Sequence, residues 1–132
     1  MATRTDARIS VVSVLFAYDS GNENIAKNKE AIYEENKIKN KQKEFADNLV
    51  SGVMENLVKI DALINSRLKD WDYDRIGKVD KAILRLGTYE IAFTDTDKAV
   101  IINEALNMAK TLCADESPKF INGLLDKINK GD

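Results

Sequence analysis

The amino-acid sequence predicts an all-α fold. Apolar residues recur every three or four positions along most of the chain, which is the spacing that lines one face of a helix. No strand-like alternation comes with enough apolar residues to bury, and the single proline, Pro118, lies where a helix is expected to begin. We therefore expect two small packed helical bundles, helices 1–3 and helices 4–6, divided near residues 71–74.

Three helices are expected in the first bundle, residues 1–71. Thr3 followed by Asp6 indicates a capped start for helix 1, which ends near residues 20–22. A polar helix 2 is predicted over about residues 24–36, and the lysine-rich stretch that follows it is predicted to be a solvated turn over residues 37–43. Helix 3 is predicted as one element from about residue 44 to 69, because its apolar residues repeat every three or four positions throughout, through Trp71.

The second bundle, residues 72–132, is expected to be built around helix 4. This helix is predicted over residues 75–93, with acidic capping by Asp72 and Asp74. It carries two apolar stripes, which require neighbours on more than one side, and Ile83 and Leu86 are expected in the core.

Two further helices complete the second bundle. Residues 94–97 are expected to end helix 4 and cap helix 5, which continues to about Leu112. Ser117 and Pro118 form the N-cap and first-position pair that begins helix 6, predicted to reach Ile128. Gly52 and Gly87 fall inside predicted helices, where close helix crossing is the expected reason for glycine.

The composition excludes several classes of protein. The chain has 132 residues, with 20 Lys and Arg against 22 Asp and Glu, so its net charge of −2 provides no global basic field for nucleic acid. It has no His and one Cys, Cys113, which excludes an internal disulfide and the usual zinc sites, and no cofactor is expected. No apolar run is long enough to span a bilayer, so a soluble cytoplasmic protein is expected.

No catalytic signature is found, and we expect no enzyme. The sequence lacks a phosphate loop and the other common active-site motifs. Glu90 and Glu104 are possible paired carboxylates, but ion pairs with Arg85, Lys110 or the backbone are the favoured alternative. Cys113 is predicted at the C-terminal end of a helix, where the dipole disfavours a thiolate, so it is interpreted as a packed side chain.

Two local features indicate anion binding. Arg4 and Arg8 lie four residues apart at the start of helix 1 and are expected to project from one face. The start of helix 6 offers free backbone N–H groups and Lys119, although acidic residues just before it favour ordinary capping equally. Phe120 fits either the core or a base-stacking position. These residues alone predict a small helical binding module.

Five sequence blocks resemble one known family. They are VDKAILRLGTYEI (79–91), VIINEALNMAK (100–110) and SPKFINGLLDKI (117–128), with ARISVVSVLFAYD (7–19) and LVSGV (49–53) nearer the front. In this order and spacing they resemble the NusB family of transcription antitermination factors. The resemblance covers nearly the whole chain, and residues 22–43 contribute little to it.

The resemblance implies a non-enzymatic RNA-binding protein. Similar proteins bind the boxA element of nascent ribosomal RNA leader transcripts together with NusE, a protein shared with the small ribosomal subunit, and help RNA polymerase to pass terminators. By motif, the implied positions on the RNA side are Arg4, Arg8, Phe16, Glu116, Ser117, Lys119 and Phe120. The implied NusE-binding positions are Asp80 and Asp74.

The sequence departs from the family pattern at its front, and alternatives remain open. Relatives often carry a denser arginine cluster, whereas Thr5 and Asp6 interrupt it here, so we expect weak binding to boxA-type single-stranded RNA alone and stronger binding with NusE. One alternative is the recruiting domain of a ribosomal RNA cytosine methyltransferase, for which 132 residues leave no catalytic domain. Another is a protein-binding or self-associating module, such as a homodimer, without intrinsic RNA binding.

Overall fold

The computed structural model describes residues 1–68 and 73–132, apart from the side chain of residue 74. Within these ranges the chain forms seven α-helices and no strand, so the predicted all-α class is confirmed. The helices are α1 (Arg4–Asp19), α2 (Ile25–Glu35), α3 (Asn40–Glu55), α4 (Leu57–Arg67), α5 (Lys78–Phe93), α6 (Lys98–Leu112) and α7 (Ser117–Leu125). A 3₁₀ turn, Tyr73–Arg75, precedes α5. None of the described helices is long and apolar enough to cross a membrane.

Helix α1 begins as its sequence predicts. Thr3 is the N-cap: its N–H donates to the Asp6 carboxylate at 2.8 Å, and its hydroxyl accepts from the Asp6 N–H at 3.2 Å. This reciprocal capping box satisfies two backbone donors that the first helical turn leaves open. The helix ends at Asp19 with Ser20 as its C-cap, and Gly21 follows with a φ of +103°, a left-handed conformation that glycine adopts without strain.

The single long helix predicted over residues 44–69 is wrong, because the chain forms α3 and α4 instead. Asn56 separates them with φ −114° and ψ 17°. Its side-chain amide donates to the carbonyl of Gly52 at 2.8 Å, so it competes with the backbone for the helix acceptor. Helix α3 also begins earlier than predicted, at Asn40, which shortens the predicted turn. The predicted end at residue 69 and Trp71 lie outside the described residues.

The predicted start of helix 4 is also wrong. Helix α5 begins at Lys78. Its N-cap is Gly77, which has no side chain to accept a hydrogen bond from the first helical turn. Of the residues expected to cap it, Asp72 and the side chain of Asp74 lie outside the described part of the chain, and residues 73–75 form the 3₁₀ turn. Asp80 supplies the negative charge that the first turn of a helix favours.

Helix α5 is central to the core, as predicted. It contacts α1, α3, α4, α6 and α7, and the side chains of Ile83 and Leu86 are fully buried. Both helix crossings predicted from glycine are confirmed. A Cβ on Gly87 would lie 2.9 Å from a methyl carbon of Leu125, and a Cβ on Gly52 would overlap the ring of Tyr89.

The last two helices pack against α5 and each other. Asp97 caps α6 as predicted, accepting from the N–H of Ala99 at 2.8 Å. Helix α7 ends at Leu125 rather than at the predicted Ile128, although Ile128 is buried in the turn that follows. Helix α1 contacts α2 and α3, and α6 contacts α7, but α5 contacts both groups. The division into residues 1–71 and 72–132 therefore stays a prediction.

Candidate nucleic-acid interface

A groove of about 560 Å³ lies where the start of α7 meets the end of α4 and the start of α5. Among the described side chains that line it, four are basic and two are acidic, and Ile76, Phe120 and Leu124 add apolar surface. The charged ones are Arg67, Arg75, Lys119, Lys127, Asp80 and Glu116. A groove with excess positive charge and an aromatic side chain has the composition that suits a nucleic-acid backbone and a stacked base.

The start of α7 presents Lys119 to this groove. Glu116, not Ser117, is the N-cap, so the predicted position of the helix start is wrong by one residue. The expected set of free backbone N–H groups is also mostly absent: Ser117 donates to Ala114 O at 3.0 Å, Pro118 has no N–H, and Phe120 donates to Glu116 O at 3.4 Å. Charge at this corner therefore comes mainly from side chains.

Of the two arginines at the front, only Arg4 is exposed. Its guanidinium carbon lies 4.6 Å from the centre of the Phe45 ring, a cation–π contact between α1 and α3. The Arg8 guanidinium carbon lies 5.1 Å from the centre of the same ring, so the two arginines project from one face of α1 as predicted, but Arg8 is only 3 % exposed. The side chain of Arg8 is therefore not accessible to a ligand on the surface of this fold.

Arg8 is instead held by two carboxylates. Its Nε and Nη2 atoms donate to the two oxygens of Glu90, each at 2.8 Å, and Nη1 donates to Glu104 at 3.5 Å. Thr5 also donates its hydroxyl to Glu104 at 2.8 Å. Burial opposes the charge on Arg8, but the hydrogen bonds to Glu90 and the charge of Glu104 outweigh it and raise the Arg8 pKa. Glu90 and Glu104 therefore form ion pairs, as the favoured alternative predicted. Their partner is Arg8, so the predicted partners Arg85 and Lys110 are wrong.

Arg85 is itself buried and belongs to a second, partly buried cluster. Its Nε and Nη2 atoms donate to the two oxygens of Asp61, each at 2.9 Å, and Nη1 lies 3.4 Å from Asp19. The hydroxyl of Tyr73 donates to Asp61 at 2.7 Å. Burial, followed by this hydrogen bond, raises the Tyr73 pKa. The cluster joins α1, α4 and α5 to the 3₁₀ turn. Because Arg75 belongs to this turn, the cluster also holds Arg75 at the rim of the groove.

The structure brings some of the predicted site residues together and separates others. Asp80, which the resemblance implies binds protein, lines the same groove as four residues of the α7 corner that the resemblance implies bind RNA: Glu116, Ser117, Lys119 and Phe120. Arg4 and Phe16 lie on α1 and do not line the groove, although Phe16 is 40 % exposed and accessible. The side chain of Asp74 lies outside the described residues.

Three basic residues of the groove were missed from the sequence. Lys127 was detectable, because Lys119, Gly123 and Lys127 follow each other at the four-residue spacing of one helix face. Arg67 and Arg75 lie on either side of the undescribed residues 69–72, and no local pattern brings them to α7. Arg67 also forms an ion pair with Asp132 at 3.2 Å, which neutralises part of its charge.

Cys113 lies beside Asp80 and is expected to be unreactive. Burial raises the pKa of its thiol to about 12, and the hydrogen bond to Asp80 acts in the same direction. A thiol with a raised pKa holds little thiolate near neutral pH, and thiolate is the reactive form. An aromatic disulfide reagent at about pH 8 should therefore modify the folded chain at least tenfold more slowly than the urea-unfolded chain. Equal rates in the two states would show that the thiol is neither shielded nor held protonated.

These features define an all-helical binding protein with a charged groove at a helix corner. Among the described residues, no group of three or more Cys, Asp or Glu side chains is placed to hold a metal ion. The sequence profile of the NusB family matches residues 5–130. The chain belongs to the NusB family.

Individual relatives are similar over almost their whole length. The transcription antitermination protein NusB of Sulfurovum sp. (strain NBC37-1) is 58 % identical over 130 residues, covering 98 % of this chain and 100 % of that protein. The NusB of Helicobacter pylori (strain G27) is 52 % identical, with coverage of 98 % and 94 %.

Solved structures of the family have the same fold. A crystal form of NusB from T. maritima has a TM-score of 0.88 and 36 % identity, covering 96 % of this chain and 89 % of that one. A crystal structure of the antitermination factors NusB and NusE in complex with double-stranded RNA has a TM-score of 0.86 and 30 % identity, with coverage of 93 % and 92 %.

Proposed function

We propose that this chain is an antitermination factor that binds boxA-type RNA of nascent ribosomal RNA leader transcripts together with NusE, and so helps RNA polymerase to read through terminators. The groove at the α7 corner carries this proposal, because it combines four basic side chains with Phe120 in a chain of net charge −2. Membership of the NusB family, which includes a solved NusB–NusE complex with RNA, supports it. The protein acts by binding rather than by catalysis, in the cytoplasm where transcripts are made.

The RNA follows the residues of the predicted set that line the groove, where Lys119 and Glu116 are exposed, Phe120 is half-buried and Ser117 is buried. Lys119 neutralises a phosphate and Phe120 stacks a base at the groove, with Glu116 and Ser117 offering hydrogen-bonding oxygens beside them. Arg4 and Phe16 extend the contact along α1, where both are exposed. Arg8 supports this surface from below through Glu90 rather than by touching RNA.

NusE docks at the acidic side of the groove. Asp80 lies in the first turn of α5 and lines the groove beside the RNA-side residues, so one surface serves the protein and the RNA together. Asp74 remains part of this proposal from the family resemblance alone. Because few cations face the RNA, binding by the isolated chain is weak and salt-dependent, and NusE supplies further contacts.

The test is a titration of boxA RNA and a scrambled RNA at physiological salt, with and without NusE. We expect weak binding by the chain alone and markedly tighter, boxA-selective binding in the presence of NusE. Lys119→Ala should lower the affinity of the NusE-bound chain about five- to tenfold, because one charged phosphate contact is lost. The matched control is Lys110→Ala, which removes an exposed lysine from α6, outside the groove.

Two results would contradict the proposal. Equal affinity with and without NusE would refute the cooperative part. If Lys119→Ala binds boxA RNA as tightly as Lys110→Ala, the groove is not where the RNA lies. A chain that binds NusE but no RNA at all would favour the alternative of a protein-interaction module.

A further inference from the structure

A second basic surface, which shares no residue with the groove, lies in the loop between α2 and α3 and in the first turn of α3. Lys37, Lys39 and Lys41 are all exposed, and residues 36–43 contain no acidic residue. We call these three side chains the lysine edge. The net charge of the chain is −2, so such a local concentration of positive charge is not the average property of its surface.

The backbone fixes how these lysines are displayed. Lys37 and Asn40 have φ values of 58° and 55°, in the left-handed region that non-glycine residues rarely adopt. Between them, Ile38 is 3 % exposed and donates its N–H to Tyr33 O at 2.8 Å. Because Ile38 anchors the loop in the core, the lysines on either side of it are held at the surface rather than on a loose tether.

The lysine edge carries uncompensated charge. Nearby lysines are paired: Lys43 lies 2.9 Å from Glu30, and Lys29 lies 3.0 Å from Asp47. In the part of the chain that the structure describes, no ion pair joins a carboxylate to a member of the lysine edge. The surface therefore has the charge to attract a polyanion without first breaking internal contacts.

The lysine edge borders a depression of about 940 Å³ that continues to the start of α1. Its lining includes Met1, Ala2 and Asp6 together with the loop, and it adds the side-chain amides of Asn36, Asn40 and Gln42. Asp6 is its only acidic residue among those described, and that carboxylate is occupied by the Thr3 capping box.

Arg4 connects this surface to the front of α1. Its guanidinium lies over Phe45, and Phe45 follows Lys41 by four residues on the same face of α3. The exposed cations therefore run from α1 across Phe45 to the lysine edge, as a strip rather than as isolated charges.

We propose that the lysine edge binds the sugar–phosphate backbone of RNA that flanks the boxA element. Lysines provide point charges for phosphates, and the amides provide donors and acceptors for sugar hydroxyls, while the surface offers nothing that reads base sequence strictly. The inference rests on the proposed function, because flanking RNA reaches this surface only when boxA is bound. It adds a contact that depends on RNA length rather than on boxA sequence.

The test compares a short boxA RNA with the same RNA extended by about ten nucleotides on each side, a length within the range that single-strand-binding surfaces cover. Both are titrated against the NusE-bound chain at several salt concentrations. The test variant replaces Lys37, Lys39 and Lys41 with Gln. The control replaces Lys27, Lys59 and Lys110 with Gln, which removes the same charge from exposed positions away from the edge.

We expect the wild-type chain to bind the extended RNA about tenfold more tightly than the short RNA. The lysine-edge variant should lose this gain while keeping its affinity for the short RNA. For the lysine-edge variant on extended RNA, the plot of log affinity against log salt should be less steep by about two, the value for three lost single-strand phosphate contacts. The control variant should keep the gain in affinity from extension.

The outcomes separate this inference from the function on which it rests. If the chain binds short boxA RNA but extension adds no affinity, or if the lysine-edge variant keeps the gain, the lysine edge does not bind RNA and the proposed function stands. If neither RNA binds with NusE present, the proposed function fails and the inference fails with it. An equal loss in both triple variants would indicate a general charge effect and would also overturn the inference.

Discussion

Arg8→Ala is expected to lower the free energy of unfolding by about 3–5 kcal/mol. The substitution leaves Glu90, which is 1 % exposed, as a buried carboxylate without its bidentate partner. It also removes the cation that lies 3.5 Å from Glu104 and the guanidinium over the Phe45 ring. An uncompensated buried charge costs more than the pair contributes, so the loss should far exceed that from an exposed arginine. Urea denaturation followed by circular dichroism measures it.

Arg4→Ala is the matched control for Arg8→Ala, because Arg4 lies one turn earlier, is exposed and also contacts Phe45. It should cost less than about 1 kcal/mol. A double variant, Arg8→Met with Glu90→Met, should recover much of the stability, since it removes both charges and keeps apolar volume. Similar small losses for Arg8→Ala and Arg4→Ala would mean that the Arg8–Glu90 pair is open to solvent.

RNA-binding data for Arg8 variants should be interpreted together with the stability of each variant. The family resemblance assigns Arg8 to the RNA side, but the side chain is buried beneath that surface. Loss of RNA binding in Arg8→Ala would therefore report partial unfolding or displacement of α1. Lys119 and Arg4, both exposed, are the positions at which a loss of affinity reports a lost contact.

Ile83→Ala is expected to destabilise the fold by about 2–5 kcal/mol. Ile83 is fully buried in the middle of α5, the helix that contacts α1, α3, α4, α6 and α7. Truncation removes apolar surface from the core and leaves a cavity that surrounding helices fill only partly, because α5 is constrained on several sides. Equilibrium denaturation in urea gives the change, with an unaltered slope expected if the denatured state is unaffected.

Val58→Ala provides the comparison for Ile83→Ala. Val58 is an aliphatic residue within a helix, α4, but its side chain is 86 % exposed, so its truncation should change stability by less than about 0.5 kcal/mol. A loss at Ile83 no larger than that at Val58 would mean that α5 is not packed as described. RNA binding by Ile83→Ala should persist below its unfolding transition, because Ile83 reaches neither basic surface.

Local patterns in the sequence were sufficient for much of the fold. The three- and four-residue spacing of apolar side chains located most of the helices, because burying one face of a helix requires it. Thr3 and Asp97 marked helix starts correctly, since a short polar side chain there bonds to nearby backbone N–H groups. Gly52 and Gly87 indicated where helices cross closely, as the contacts with Tyr89 and Leu125 confirm.

The errors arise where two local preferences compete or where distant residues meet. The apolar spacing continues through Asn56, so periodicity predicted one helix, whereas the Asn56 amide binds a helix carbonyl and interrupts it. The partner of Arg8 is Glu90, 82 residues away, and nothing in the spacing around either residue identifies the other. The groove is likewise formed by parts of α4, α5 and α7 that only the tertiary fold brings together.

The two buried arginines also bear on whether either half of this chain is self-sufficient. Arg8 and its partner Glu90 come from opposite sides of the predicted division near residue 71, and so do Asp61 and Arg85. Each half therefore supplies one buried arginine that pairs with a carboxylate of the other half. A half separated from its partner would retain an acid and an arginine that lack their counter-charges. Because each half supplies the counter-charge for a group in the other, we expect residues 1–68 and 73–132 to unfold as one cooperative unit.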